Sequence, residues 1–196
     1  MIPRMDLIEV ERKRELADSE TLRRHLAELG YREISSLTEI DTYYSRPDVD
    51  YMETVECLRV RQRDGSAEIT YKPPSNTATH SAHGIIAKQE TNVQLADPDQ
   101  AGAANTLLTA VGMIELVRVE KARTTYRRPG HDNTVVSIDL VTGVGAFVET
   151  EIIASDSGGA ATQLEGIEQA IGVSTYPIVR LSYRDLVMRA GPWARV

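Results

Sequence analysis

Several short stretches of this chain place ionisable side chains two residues apart, the spacing that sends them to one face of an extended strand. Glu9, Glu11 and Lys13 alternate in IEVERKREL, Arg59 and Arg61 in ECLRVRQ, Lys121 and Arg123 in VEKART, and Glu149 and Glu151 in FVETEI. Lys72 shares a face with Thr70, Asp139 shares one with Ser137, and Lys88 opens KQET. Guanidinium and ammonium groups in such numbers offer charge-assisted donors to the oxygens of a polyanion. Carboxylates repel that anion, so their presence has two readings. They belong to a solvated outer face, or they hold hard divalent cations, which prefer oxygen ligands.

The elements that must position these residues follow a repeated pattern. EVERKRELADSETLRRHLAELG reads as a charged strand, a polar turn, a helix with Leu22, Leu26 and Leu29 on one stripe, and Gly30 as its stop. KQETNVQLADPDQAGAANTLLTAVG repeats the order, with Asp97 as N-cap, Pro98 at the first helical position and Gly112 as stop. VETEIIASDSGGAATQLEGIEQAIG repeats it again, ending at Gly172. Between them lie two hairpins, one turning at Asp64-Gly65 and one near Pro129-Gly130. In the second, Val136, Ile138 and Leu140 take the face opposite Ser137 and Asp139. Residues 75–87 read as a long polar loop, whose His80 and His83 are expected to be solvated and not a metal pair.

Composition narrows the function classes. The 196 residues suit a single domain, 1–196, with one substantial core. A net charge of −7 argues against a nucleic-acid binder working through general basicity. The one cysteine, Cys57, forms no internal disulfide. No apolar run reaches signal-peptide or membrane-span length, so a cytoplasmic protein without a membrane partner is expected.

Collected on one sheet face are Glu9, Glu11, Asp139, Glu149 and Glu151 together with Lys13, Arg59, Arg61, Lys72, Lys88, Lys121 and Arg123. The opposite face is mostly Val, Ile and Leu and is the surface on which the three helices bury their stripes. If seven or eight antiparallel strands curl toward closure, the charged face lines a lumen. The expected class is therefore α+β, an antiparallel barrel-like tunnel with helices outside. Tyr43 and Tyr44 read as strand-start packing residues. Tyr183 and Arg184 suit a C-terminal helix that packs or closes one tunnel end.

The sequence resembles the CYTH superfamily, the triphosphate tunnel metalloenzymes. Glu9-Val10-Glu11-Arg12-Lys13 matches its E-x-E-x-K signature, and DTYYS, LRVRQ, TYKPP, KQET, VEKARTTY, IDLVTGVGAFVETEI and SYRDLV follow in the expected order. TGVGAFVETEI and SYRDLV look most like the class IV adenylyl cyclase branch. Departures are Lys72-Pro73-Pro74, where the family often has Lys-Gly-Pro, and Asn92, where it often has an acid. The resemblance implies Mg²⁺ or Mn²⁺ on Glu9, Glu11, Asp139, Glu149 and Glu151, with the seven bases on the phosphates. Glu9, Glu11, Lys13, Glu149 and Glu151 carry the catalysis in that picture. It implies ATP as substrate, converted to cyclic AMP and pyrophosphate, and a homodimer. The alternatives are hydrolysis of inorganic triphosphate or thiamine triphosphate, and a non-catalytic polyphosphate-binding module.

Overall fold

The computed structural model describes residues 7–75 and 84–191, so His80 and His83 lie outside the described residues. Nine strands and four helices follow one another: β1 Ile8–Glu15, α1 Ser19–Glu28, β2 Arg32–Ser45, β3 Cys57–Arg63, β4 Ser66–Lys72, β5 Ile86–Lys88, β6 Thr91–Leu95, α2 Gln100–Ala110, β7 Ile114–Arg127, β8 Thr134–Val141, β9 Gly145–Ala154, α3 Ser157–Ala170 and α4 Tyr183–Ala190. All strands join one antiparallel sheet in the order β5-β1-β9-β8-β7-β2-β3-β4-β6. The edge strands β5 and β6 stand at opposite ends of that order, yet only Gln89 and Glu90 separate them in sequence. Their facing ends are therefore no more than ~11 Å apart, because three peptide steps span no further. That link bends the sheet into the expected barrel-like tunnel, with nine strands in place of the expected seven or eight.

Each expected strand, turn, helix and glycine unit forms. Gly30, Gly112 and Gly172 all take positive φ just after their helices, where a Cβ would be strained. Asp18 and Asp156 cap α1 and α3 by accepting from Thr21 N and Gly159 N. The second helix begins later than Asp97 implies. That side chain instead accepts from Asp99 N in a local turn, and α2 starts at Gln100.

The helices α1, α2 and α3 cover the outer sheet face. Leu22 and Leu26 of α1 pack on Val136, Ile138 and Val148; Leu164 of α3 packs on Val10 and Ile152; Ala101 and Ala104 of α2 pack on Tyr44, Val60 and Ala67. Leu140 departs from the expectation for its face and is exposed. So do Arg12 and Arg14, which point outward from β1 and are buried under α3. Arg12 reaches Glu168 at 2.6 Å and Arg14 at 2.8 Å, and Glu168 itself is 1% exposed. Helix α4 lies on the other side. Its Tyr183 joins Tyr43, Val119, Val141 and Phe147 in a cluster at the tunnel.

Candidate functional site

The inner sheet face encloses a cavity of about 480 Å³. Its lining includes Glu9, Glu11, Lys13, Arg59, Arg61, Lys72, Lys88, Lys121, Arg123, Glu149 and Glu151, which is every predicted site residue except Asp139. Register explains the convergence. Glu11 stands opposite Glu151 and Lys13 opposite Glu149 across β1 and β9. Arg123 stands opposite Asp139 across β7 and β8. Directly opposed residues of an antiparallel pair share a face, so one alternation fixes the next.

The bases are held by acids that sequence reasoning does not single out. Asp41 grips Arg61 through two hydrogen bonds of 2.6 and 2.7 Å. Glu39 lies 2.6 Å from Arg63, 3.1 Å from Lys121 and 3.4 Å from Arg61. Burial works to raise both carboxyls but is overridden. Arg61 and Arg59 bring Asp41 down to about 2, and Arg61, Lys121, Arg123 and Arg63 hold Glu39 far below the usual carboxylate range. Glu90 occupies the seam between β5 and β6, 3.0 Å from Lys72 and 3.7 Å from Arg59. Arg63 and Glu68 also line the cavity. The alternation in TEIDTYY and SAEITYK carries the period-two signal that would have found Glu39, Asp41 and Glu68. Glu90 follows Lys88 at the same spacing but lies between β5 and β6, where the strand itself breaks.

Two predicted residues take roles of their own. Asp139 is fully buried behind the wall, where Arg123 Nε donates to it at 2.7 Å, Tyr183 Oη at 2.7 Å and Lys121 Nζ at 3.4 Å. With its oxygens so engaged it braces bases, in contrast to the metal-ligand role expected for it. Lys88 lines the cavity, but its ammonium donates to the carbonyl oxygens of Val55 and Pro73 at 2.6 and 3.0 Å. Burial pushes this lysine down to about 8.

Tyr183 forms part of the floor. Lys13 Nζ lies 3.9 Å and Lys121 Nζ 4.7 Å from its ring centroid, and Phe147 meets the ring edge-on at 5.4 Å. Arg184 is a brace, donating to Glu56 O and Tyr51 O. Lys13 and Arg59 are the most loosely held bases, with Glu149 4.0 Å from the Lys13 ammonium. Glu90 and Asp41 lie 3.7 and 3.9 Å from Arg59, whose buried Nε has no hydrogen-bond partner among the described residues.

Charge is segregated inside the cavity. Glu9, Glu11 and Glu151 gather on β1 and β9 with Lys72 as the cation bonded to Glu9. Burial raises Glu9 well above the ordinary range; Lys72 pulls the other way while Glu11 and Glu151 push it further up. Burial and then Glu11 raise Glu151 as well. Like charges crowded in a dry corner are relieved by a cation, and an all-carboxylate donor set fits a hard one. Among the described residues no three metal-ligating side chains converge into a closed cage. Mg²⁺ needs none, since it takes one or two protein carboxylates and completes its shell with substrate phosphates and water.

Residues 7–175 match the family model described as the CYTH domain. The chain belongs to the CYTH domain family. A relative from Methanocaldococcus jannaschii, named "Putative adenylate cyclase MJ0240", is 30% identical over 183 residues, which is 92% of this chain and 98% of that protein. The PH1012 protein of Pyrococcus horikoshii OT3 has a similar solved structure, with a TM-score of 0.75 at 22% identity, covering 91% of this chain and 98% of that one. A Hippeastrum protein, HpAC1, aligns with a TM-score of 0.64 at 15% identity over 90% of this chain and 92% of its own, and its structure is described as revealing a dominant triphosphatase activity. In this CYTH domain the matched region ends before α4, so Tyr183 and Arg184 reach the cavity from beyond it.

Proposed function

We propose that this CYTH domain is a divalent-cation-dependent enzyme acting on a triphosphate, and that its reaction is the conversion of ATP to cyclic AMP and pyrophosphate. The observation that carries this reading is the division of one cavity into an acidic corner, Glu9, Glu11 and Glu151, and a basic wall, Arg59, Arg61, Lys121 and Arg123. A triphosphate bears about four negative charges, and the wall meets it with guanidinium and ammonium donors at fixed spacing. Bound Mg²⁺ or Mn²⁺ supplies charge neutralisation at phosphate oxygens and acidifies the attacking hydroxyl. Arg59, with its orphaned Nε, and Arg61 hold the departing pyrophosphate oxygens as negative charge grows there. Lys13, whose ammonium burial makes more acidic while Glu149 opposes that shift, stands between the two poles and donates to the reacting phosphoryl group. In the reaction the ribose 3′-hydroxyl oxygen bonds to the α-phosphorus, the bond from that phosphorus to its bridging oxygen breaks, and the hydroxyl proton is released. The relative's name supports the cyclase reading.

A second reading has its own support. The described triphosphatase activity of HpAC1 favours attack by water on a terminal phosphorus in the same cavity. Phosphorus NMR of the purified chain with ATP and Mg²⁺ separates the two. Pyrophosphate and cyclic AMP in equal amounts are expected. Orthophosphate from inorganic triphosphate or thiamine triphosphate, with ATP untouched, would replace cyclisation with hydrolysis. Metal-dependent binding of all three without turnover would leave a polyphosphate-binding module.

A further inference from the structure

Beyond the end of β3, β2 becomes the sheet edge and continues along β7, which stays paired with β8 on its other side as far as Tyr126. β3 ends at Arg63, opposite Glu39, whereas β2 extends back to Arg32 along β7. The tunnel-facing side of β7 carries Lys121, Arg123, Thr125 and Arg127 at alternate positions, and Arg127 stands directly opposite Arg32. Like charges directly opposite one another destabilise a sheet, so this juxtaposition favours a bound anion. Neither arginine enters an ion pair among the described residues. Arg127 Nε is buried there without a hydrogen-bond partner. The acid next in sequence, Glu33, pairs with Tyr126 and so takes the other face.

The place of this pair relative to the cavity gives it a use. Arg127 lies four residues beyond Arg123 on the same face, ~13 Å along the strand, a gap that two long side chains shorten from both ends. A triphosphate approaching a chain of net charge −7 meets repulsion over most of the surface, and a local positive patch leading to the basic wall reverses it. We propose that Arg32 and Arg127 form an anion-capturing site at the end of the β2–β7 pair, which draws the phosphate chain of the substrate toward Arg123. The proposal rests on the triphosphate reading above.

Stopped-flow association of inorganic triphosphate with the full chain, in the presence of Mg²⁺, tests it. Intrinsic fluorescence of the cavity tyrosines supplies the signal. The paired substitution Arg32→Gln, Arg127→Gln is expected to slow association by about tenfold at low ionic strength. The difference should disappear near ~1 M salt, where screening acts within about 3 Å. The paired lysine substitutions should retain most of the rate. Arg118→Gln with Arg189→Gln, an equal charge change at exposed positions, should leave association within about twofold. Triphosphate binding with an unchanged rate in the first pair, or an equal slowing in the second, would overturn the capture site alone. So would loss of affinity for a single-stranded oligonucleotide with triphosphate association intact, which would make the pair a separate polyanion surface. Failure of the unaltered chain to bind triphosphate at all would overturn the proposed function and this inference with it.

Discussion

Glu149 and Glu151 are neighbours on one face of β9, yet their surroundings give them opposite effects on stability. Burial works to raise Glu149, but Arg123 pulls it down, with Lys121 and Lys13 adding to that pull against Asp139. Burial and the facing Glu11 raise Glu151. Removing the charge of Glu149 leaves Arg123 with one partner fewer, whereas removing that of Glu151 relieves repulsion. Glu149→Gln should therefore lower stability of the metal-free protein and Glu151→Gln should raise it slightly. Both should cut metal-dependent turnover, on the order of 100-fold, comparable to the loss of one electrostatic partner of a transition state. Denaturant titration beside a turnover assay checks both signs, and matching stability changes would contradict the assignment. Asp41 sets a pH dependence. Its folded value of about 2 lies below its ordinary 3.8, so its contribution of roughly 2 kcal/mol is present above pH ~4 and is lost as pH falls toward ~2. An acid unfolding curve should show that loss, and Asp41→Asn should flatten it.

At the scale of elements, β1 does two jobs at once. Its inner face offers Glu9, Glu11 and Lys13 to the cavity, and its outer face clamps α3 through Arg12, Arg14 and Glu168. Glu168→Ala would leave two buried guanidinium groups without their partner and should cost about 3–5 kcal/mol. Thermal and chemical denaturation of that variant measure the effect. A change below ~1 kcal/mol would show the triad to be neutral. The inward half of β1 was legible in sequence because period two is local. The outward half was not, since Glu168 is 156 residues from Arg12 and a strand's second face is read as apolar by default. The same reasoning separates the helices. Gly30, Gly112 and Gly172 marked their ends correctly, because a positive φ is a property of one residue. Asp97 misplaced the start of α2, because an aspartate closes a local turn as readily as it caps a helix.

Over the whole molecule the decisive quantity is interior charge. Nine bases line the cavity: Lys13, Arg59, Arg61, Arg63, Lys72, Lys88, Lys121, Arg123 and Arg184. Against them stand Glu9, Glu11, Glu56, Glu68, Glu90, Glu149 and Glu151 in the lining and Glu39, Asp41 and Asp139 behind it. Ten acids thus stand against nine bases, inside a chain already at −7. Sequence periodicity revealed the basic wall and understated its internal neutralisation, because two of the carboxylates that brace it, Glu39 and Asp41, come from β2, which makes its contacts across the sheet to β3 and β7. A basic wall that is already paired has little charge left for a tetra-anion, so on the proposed reading the anion arrives with cations of its own. Calorimetric titration of inorganic triphosphate into the purified chain, with Mg²⁺ and again in excess EDTA, tests this most directly. Binding with Mg²⁺, at least ~100-fold weaker in EDTA and similarly weaker for a monophosphate, is the predicted result. Equal affinity with and without the cation, or equal affinity for monophosphate and triphosphate, would contradict it.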